Sequence, residues 1–294
     1  MRFFRTCLAI TAILLVLAYA CLAQEKPYFI TYSHDMEEPG NLEIENQTVA
    51  GRPFGSTRFF GSTIEFEYGV KAWWTTELYL EGQSTRQDST VFTGFRIENR
   101  FRVLPREHWI NPVLYVEFED INGANKSLRE VVGHDGNNDL IGSNFSSRAE
   151  RKRELELKLI LSSNFKGWNV SENIIFEKNL TNSPWEFGYA WAASRPLKFA
   201  ASARPCSFCR EKFSAGVEMY GGLGDRYHPG LHETSHYFGP ALLWNAPHGV
   251  TVKFSPQFGL NDHSVPRLYR FGVSYEINQL FSRLGFRGHS GGKN

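Results

Sequence analysis

Strict two-residue alternation, sustained over stretches longer than a soluble strand needs, is the feature that most constrains this chain. Leu155, Leu157, Leu159 and Leu161 alternate with Glu154, Glu156 and Lys158. Ile64, Phe66 and Tyr68 alternate with Thr63, Glu65 and Glu67, while Phe95, Ile97 and Phe101 interleave with Arg96, Glu98, Arg100 and Arg102. The same pattern returns at Leu114 to Glu119, Val250 to Phe258 and Tyr269 to Ile277. Side chains of a strand point alternately to opposite faces, so each segment presents one apolar and one charged face. The segments run about ten residues, which at roughly 3.3 Å per residue and a tilt of about 45° crosses a bilayer core. The apolar face is read as lipid-facing. The charged face is read as a lumen in which acids and bases pair across neighbouring strands.

Composition agrees with strands and turns: 24 Phe, 12 Tyr and 26 Gly stand against 3 Met. The 32 basic and 31 acidic side chains balance to +1, which removes a compositional case for a nucleic-acid partner. The expected fold is all-β, an antiparallel up-and-down transmembrane β-barrel. Twelve strands are expected near residues 42–50, 57–68, 73–82, 91–102, 111–120, 150–162, 167–178, 185–195, 212–222, 235–245, 249–259 and 267–278. An even number returns both termini to one side. Short turns are expected at the inner ends and longer connections at 83–90, 121–149 and 222–234 outside, with 196–211 as the exception, a long inner turn unless 197–203 belongs to a further strand. Trp73, Trp74, Trp109, Trp168, Trp185 and Trp244, near segment ends, suit interfacial girdles.

Arg2 and Arg5 before an apolar stretch, then small residues ahead of Gln24, read as a cleaved secretory leader over residues 1–23. Residues 24–41 then form a periplasmic or lumen segment, 42–278 the barrel and 279–294 a tail. Removing the leader leaves Cys206 and Cys209, which in an oxidising compartment form a local disulfide. A redox CxxC would open a helix of a βαβ unit, and a zinc site would need a second cysteine pair.

The candidate site is the charged face. Glu65, Glu67, Glu77, Glu81, Glu117, Glu119, Glu154 and Glu156 meet Arg96, Arg100, Arg102 and Lys158, with Glu276, Lys253 and Arg270 nearby. Such a face can line a slightly cation-preferring path, or it can be salt-bridged filler in a closed lumen. His228, His232 and His236 crowd one outer loop with Asp225 and Glu233, but Pro229-Gly230 breaks the helix that would align them. Asp135 to Asp139 resembles a calcium loop but lacks its glycine and closing acid, so no metal or other cofactor is expected. No Gly-x-Ser-x-Gly, His-Glu-x-x-His or His-x-Ser pattern occurs, and no catalysis is expected.

The segment Arg270-Phe271-Gly272-Val273-Ser274-Tyr275-Glu276-Ile277 places Tyr275 and Ile277 three and five residues after Gly272. It resembles the β-signal by which bacterial outer-membrane barrels are recognised for insertion. The mature chain resembles those barrels and, more loosely, the transporter-like barrels grouped with phenol-degradation MetA proteins. The resemblance implies insertion by the barrel assembly machinery and contact with outer-membrane lipid, while passage of a small polar or amphipathic solute is expected from the charged inner face. A closed structural or adhesion barrel and a secreted β-sandwich binding module remain as alternatives.

Overall fold

The computed structural model describes residues 26–134, 136, 140–181, 183–200 and 206–283. The expected leader, most of the calcium-like loop and most of the tail lie outside them. Twelve strands follow one another: β1 Leu42–Gly51, β2 Phe59–Lys71, β3 Trp74–Thr85, β4 Thr90–Arg102, β5 Asn111–Asn122 and β6 Arg151–Phe165 form one half. The other half is β7 Trp168–Asn179, β8 Trp185–Pro196, β9 Phe213–Asp225, β10 His236–Asn245, β11 Val250–Gly259 and β12 Arg267–Ile277. Each strand pairs antiparallel with its sequence neighbours, and β1 pairs with β12 to close the barrel. The closed sheet removes the β-sandwich alternative.

Burial is inverted relative to a soluble protein. Arg96 is 2% exposed and Glu98 0%, while Leu114 is 50% and Phe271 45% exposed. An apolar outer wall around a charged interior suits hydrocarbon outside, where every strand N–H and C=O must find its partner within the sheet. The barrel is therefore read as membrane-spanning.

The expected strand bounds shift by no more than three residues, and the expected contrast in connection length holds for the outer connections 123–150 and 226–235 and for the long inner connection 197–212, but not everywhere. β3 and β4 continue to Thr85 and Thr90, which reduces the outer connection to residues 86–89. Backbone pairing goes on above the apolar band because the ladder needs no apolar face once the strand has left the membrane. The inner connections 103–110 and 197–212 are longer than the outer connection 180–184. Gly94 marks a bulge where the β3–β4 register shifts; its φ is +151°, and a Cβ there would meet the Asp120 carbonyl oxygen at 2.2 Å.

The tryptophans are also placed asymmetrically. Trp73, Trp74, Trp109, Trp168 and Trp244 gather at the inner end and only Trp185 marks the outer end. At the inner rim Trp109 packs on Phe165 and Trp244 on Phe208, with ring centroids 4.9 and 4.7 Å apart. Cys206 and Cys209 are disulfide-bonded. The small ring they close presents Phe208 to Trp244, whose Nε1–H donates to the Ser207 carbonyl at 2.8 Å.

Two segments fold into the lumen. Residues 26–41 enter from the inner end, passing so close to β2 that a Cβ on Gly69 would meet the Glu38 carbonyl oxygen at 2.1 Å. Residues 124–132 of the β5–β6 connection enter from the outer end, where the length of the connection suggested that it stands outside, while 141–150 are mostly exposed. Phe29, Ile30, Val131, Val132 and Leu140 form an apolar cluster with Tyr220, Tyr237, Val265 and Leu268 from the wall. Full burial of one such side chain is worth about 1.5–3 kcal/mol, enough to hold both segments in place.

Two outcomes follow. Leu157→Arg, at mid-height on the outer wall, destabilises the inserted barrel by about 2–4 kcal/mol, measured by denaturant unfolding in vesicles. Replacing Cys206 and Cys209 together by serine leaves the barrel folded, since closing so short a ring stabilises by only about 2 kcal/mol. It speeds proteolysis within residues 197–212, and thiol counting on the unfolded, unreduced wild type finds no free thiol at these positions.

Candidate functional site

Every sequence-derived candidate of the charged face points inward: Glu65, Glu67, Glu77, Glu81, Arg96, Arg100, Arg102, Glu117, Glu119, Glu154, Glu156 and Lys158. Acids and bases pair across neighbouring strands as expected, Arg96 standing directly opposite Glu119, but a second pattern is superimposed. Register sets acid opposite acid from strand to strand: Glu276 with Glu43, Glu43 with Glu67, and Glu67 with Glu77. The row continues through Glu98, Glu117, Glu156, Glu177 and Glu186 to Asp225. These carboxylates occupy consecutive strands from β12 round to β9. Because the strands are staggered around a barrel, the row climbs from the inner end at Glu276 to the outer end at Asp225.

Like charges directly opposite are destabilising, so the bases sit diagonally to the row and bridge several acids each. Arg100 contacts Glu67 and Glu77 and lies 3.2 Å from Glu98. Arg96 lies 3.1 Å from each of Glu81, Glu117 and Glu119. Lys158 lies 2.6 Å from Glu156. Two groups of three glutamates, Glu65, Glu67, Glu77 and Glu117, Glu119, Glu130, are close enough to ligate an ion together. Guanidinium groups already bridge members of both, so the clusters are explained without a metal. Arg102, below them, donates to the His34 carbonyl at 3.0 Å. Glu154 accepts from Asn179 at 2.9 Å.

The inserted segments supply the rest, and here sequence reasoning had named no residue. Arg129 lies 3.5 Å from Glu65 and over the Tyr79 ring at 4.5 Å. Glu130 accepts from Arg96 Nη2 at 2.8 Å. Burial alone would raise the Glu130 carboxyl, but Arg96 beside it more than offsets this and holds it below its ordinary range. Tyr32, from the inner segment, donates to Glu98 at 2.9 Å, accepts from Arg129 at 3.2 Å, and lies under Arg100 and Lys158 at 5.2 and 4.9 Å. Tyr32 and Arg129 thus join the two segments at mid-lumen. An outer cavity of about 190 Å³ shares no lining residue with the inner cavities of about 350 and 150 Å³.

The inner segment is gripped by polar groups of the far wall. Buried Glu218 on β9 accepts from the backbone N–H of Phe29, Ile30 and Thr31, the latter two at 2.8 and 2.7 Å. Asn173 on β7 accepts from Tyr32 N–H at 2.7 Å and donates to its carbonyl at 3.0 Å, as a neighbouring strand would. His34 Nδ1 meets Ser162 Oγ at 2.8 Å. Burial pushes the His34 imidazole below its ordinary value, although Asp35 and Glu107 oppose this. Ser162 is 1% exposed and also bonded to Asn169 and Ser171, so this contact is a fastening and not an accessible nucleophile with its base.

The three histidines are not brought together. His228 and His232 have side chains 81% and 90% exposed, while His236 is buried and bonded to Thr234 and Tyr189. On β12, Gly272 faces the lumen beside Glu45, and Tyr275 stands on the outer wall; Ile277, by the same alternation, points outward at the strand's end.

No family model matches the sequence, and no curated protein does. Among solved structures, the COG4313 outer membrane channel from Pseudomonas putida F1 aligns at TM-score 0.49 and 10% identity, covering 86% of this chain and 99% of that one. The KdgM porin aligns at 0.46 and 6%, over 80% and 99%. The NanC porin aligns at 0.45 and 11%, over 80% and 100%. With identities this low, the lumen described above stands on its own geometry.

Glu218→Ala leaves buried backbone donors without an acceptor, at about 1–3 kcal/mol each. Amide exchange at Phe29, Ile30 and Thr31 then accelerates while the barrel strands stay protected. pH acts through His34 in a defined sense. Above about pH 6.5 the imidazole is neutral whether the segment is docked or free, and docking is at full strength. As pH falls below that, the free segment takes up a proton that the docked one resists. The protection factors of amides in residues 28–34 therefore fall on acidification, after correction for the intrinsic exchange rate, and His34→Gln removes that fall.

Proposed function

We propose that this chain is an outer-membrane barrel that passes small polar or amphipathic solutes with a preference for cations. At rest it is closed by its own inner segment and its β5–β6 connection. The observation that carries the reading is the climbing row from Glu276 to Asp225. At mid-lumen Glu65, Glu67, Glu77, Glu81, Glu98, Glu117, Glu119, Glu130 and Glu156 share the cations Arg96, Arg100, Arg129 and Lys158. Inert filler would approach charge balance, because an uncompensated buried carboxylate is costly. The excess of carboxylates calls for protons or cations drawn from solution, which is the behaviour of a cation-preferring path.

Insertion through β12, with Gly272, Tyr275 and Ile277 as the elements read by the barrel assembly machinery, belongs to the same reading, as does export by a cleaved leader. It assigns the protein no catalysis. The apolar cluster fastening both segments favours a second reading, a permanently closed structural barrel.

Planar-bilayer recording separates the two. The wild type gives rare openings with cation over anion permeability. Glu218→Ala raises the open probability, and Glu98→Gln with Glu117→Gln lowers the cation preference. A barrel that stays silent in all three forms, although heat-modifiable and correctly inserted, is the structural one.

A further inference from the structure

Away from the lumen, the outer ends of β1, β2 and β12 frame an open groove of about 820 Å³ beside the seam that closes the barrel. The exposed side chains of Arg52, Arg58 and Arg267 line it, and no carboxylate does. Arg52 Nε donates to the Ser56 carbonyl at 3.1 Å, which fixes that side chain within its loop. The remaining wall is apolar, with Phe54 51% and Tyr269 49% exposed, and Pro266 between the strands' ends. Ala50 pairs with both Tyr269 and Phe60, so the groove continues onto the outward face of the seam, where Phe60, Tyr269 and Phe271 flank Thr48 and Asn46.

Guanidinium groups without a counter-acid, standing above an apolar wall at the outer end, complement an amphipath. Its anionic head would lie among the arginines and its chains would run down the wall. Arginine binds phosphate oxygens through paired N–H donors. Two of the arginines come from the β1–β2 connection and one from the start of β12, so they approach a head from two sides. We propose that this groove binds a phosphorylated, multiply acylated glycolipid of the outer leaflet, of the lipid A class. The assignment rests on the outer-membrane reading for its source of ligand. An apolar wall continuous with the lipid face favours a lipid phosphate over a free one.

The test uses the purified full-length barrel in detergent, titrated with bis-phosphorylated lipid A and with the same lipid dephosphorylated, bound lipid being counted by native mass spectrometry. The wild type prefers the phosphorylated form by at least about tenfold. Arg52→Ser, Arg58→Ser and Arg267→Ser combined abolish the preference while heat-modifiable migration persists, because all three side chains are exposed. Equal binding of the two lipids by the wild type overturns the proposal whatever the variant does. So does a folded triple variant that keeps the preference. Lipid supplied in detergent makes this result independent of where the protein resides. Failure of the outer-membrane reading would show separately, as wild type recovered from the soluble fraction of cells.

Discussion

Backbone hydrogen bonding in a medium without water is the constraint on which the rest of this structure depends. A strand in hydrocarbon has nowhere to place an unpaired N–H or C=O, so β12 must return to β1 and the sheet must close. Once closed, the register of each pair is tied to that of its neighbours around the whole ring. A slip by one residue would turn a charged face to lipid and an apolar face inward. The alignment of glutamate with glutamate from Glu276 to Asp225 is thus a property of the ring as a whole. No single strand pair could alter it without disturbing the others.

That alignment carries an electrostatic cost, and its relief organises the interior. Arg96 is set opposite Glu119 and diagonal to Glu117, and Arg100 diagonal to Glu77, so that one guanidinium serves several carboxylates. The wall still lacks sufficient positive charge, and Arg129 comes to it from the β5–β6 connection. Tyr32 enters from the other end and lies between Arg129 and Glu98, with cations against its ring. The segments are therefore both plugs and part of the charge compensation. Withdrawing either would leave buried carboxylates without their partners. Glu218 and Asn173 on the opposite wall hold the inner segment by its backbone, in addition to the burial of Phe29 and Ile30 and the contacts of Tyr32 and His34.

The two rims differ because they face different surroundings. Aromatic rings cluster at the inner end, with Arg195 lying 5.3 Å from the rings of both Trp168 and Phe199. The outer loops carry Arg52, Arg58, Arg226 and Arg267 with only one tryptophan, Trp185, beside them. Both ends carry arginines, and the indoles are concentrated at the inner one.

Alternation alone determined that Leu155, Leu157 and Leu159 share one face and Glu154, Glu156 and Lys158 the other. Period, segment length and an even strand count then specified a barrel, because side-chain direction in a strand is local and repeats every two residues. Connection lengths were less legible: nothing in residues 123–150 taken by themselves shows that Arg129 has a partner in Glu65 or that Val131 and Val132 pack on Tyr220 and Tyr237. Glu218, Asn173 and Tyr32 read as ordinary strand and tail residues because their partners Thr31, Tyr32 and Glu98 lie 187, 141 and 66 residues away in the chain. The sequence by itself determined which residues face inward. Only the tertiary structure decided which stand opposite one another and that the lumen is closed, because register and segment docking arise from closure of the whole ring and from contacts across it.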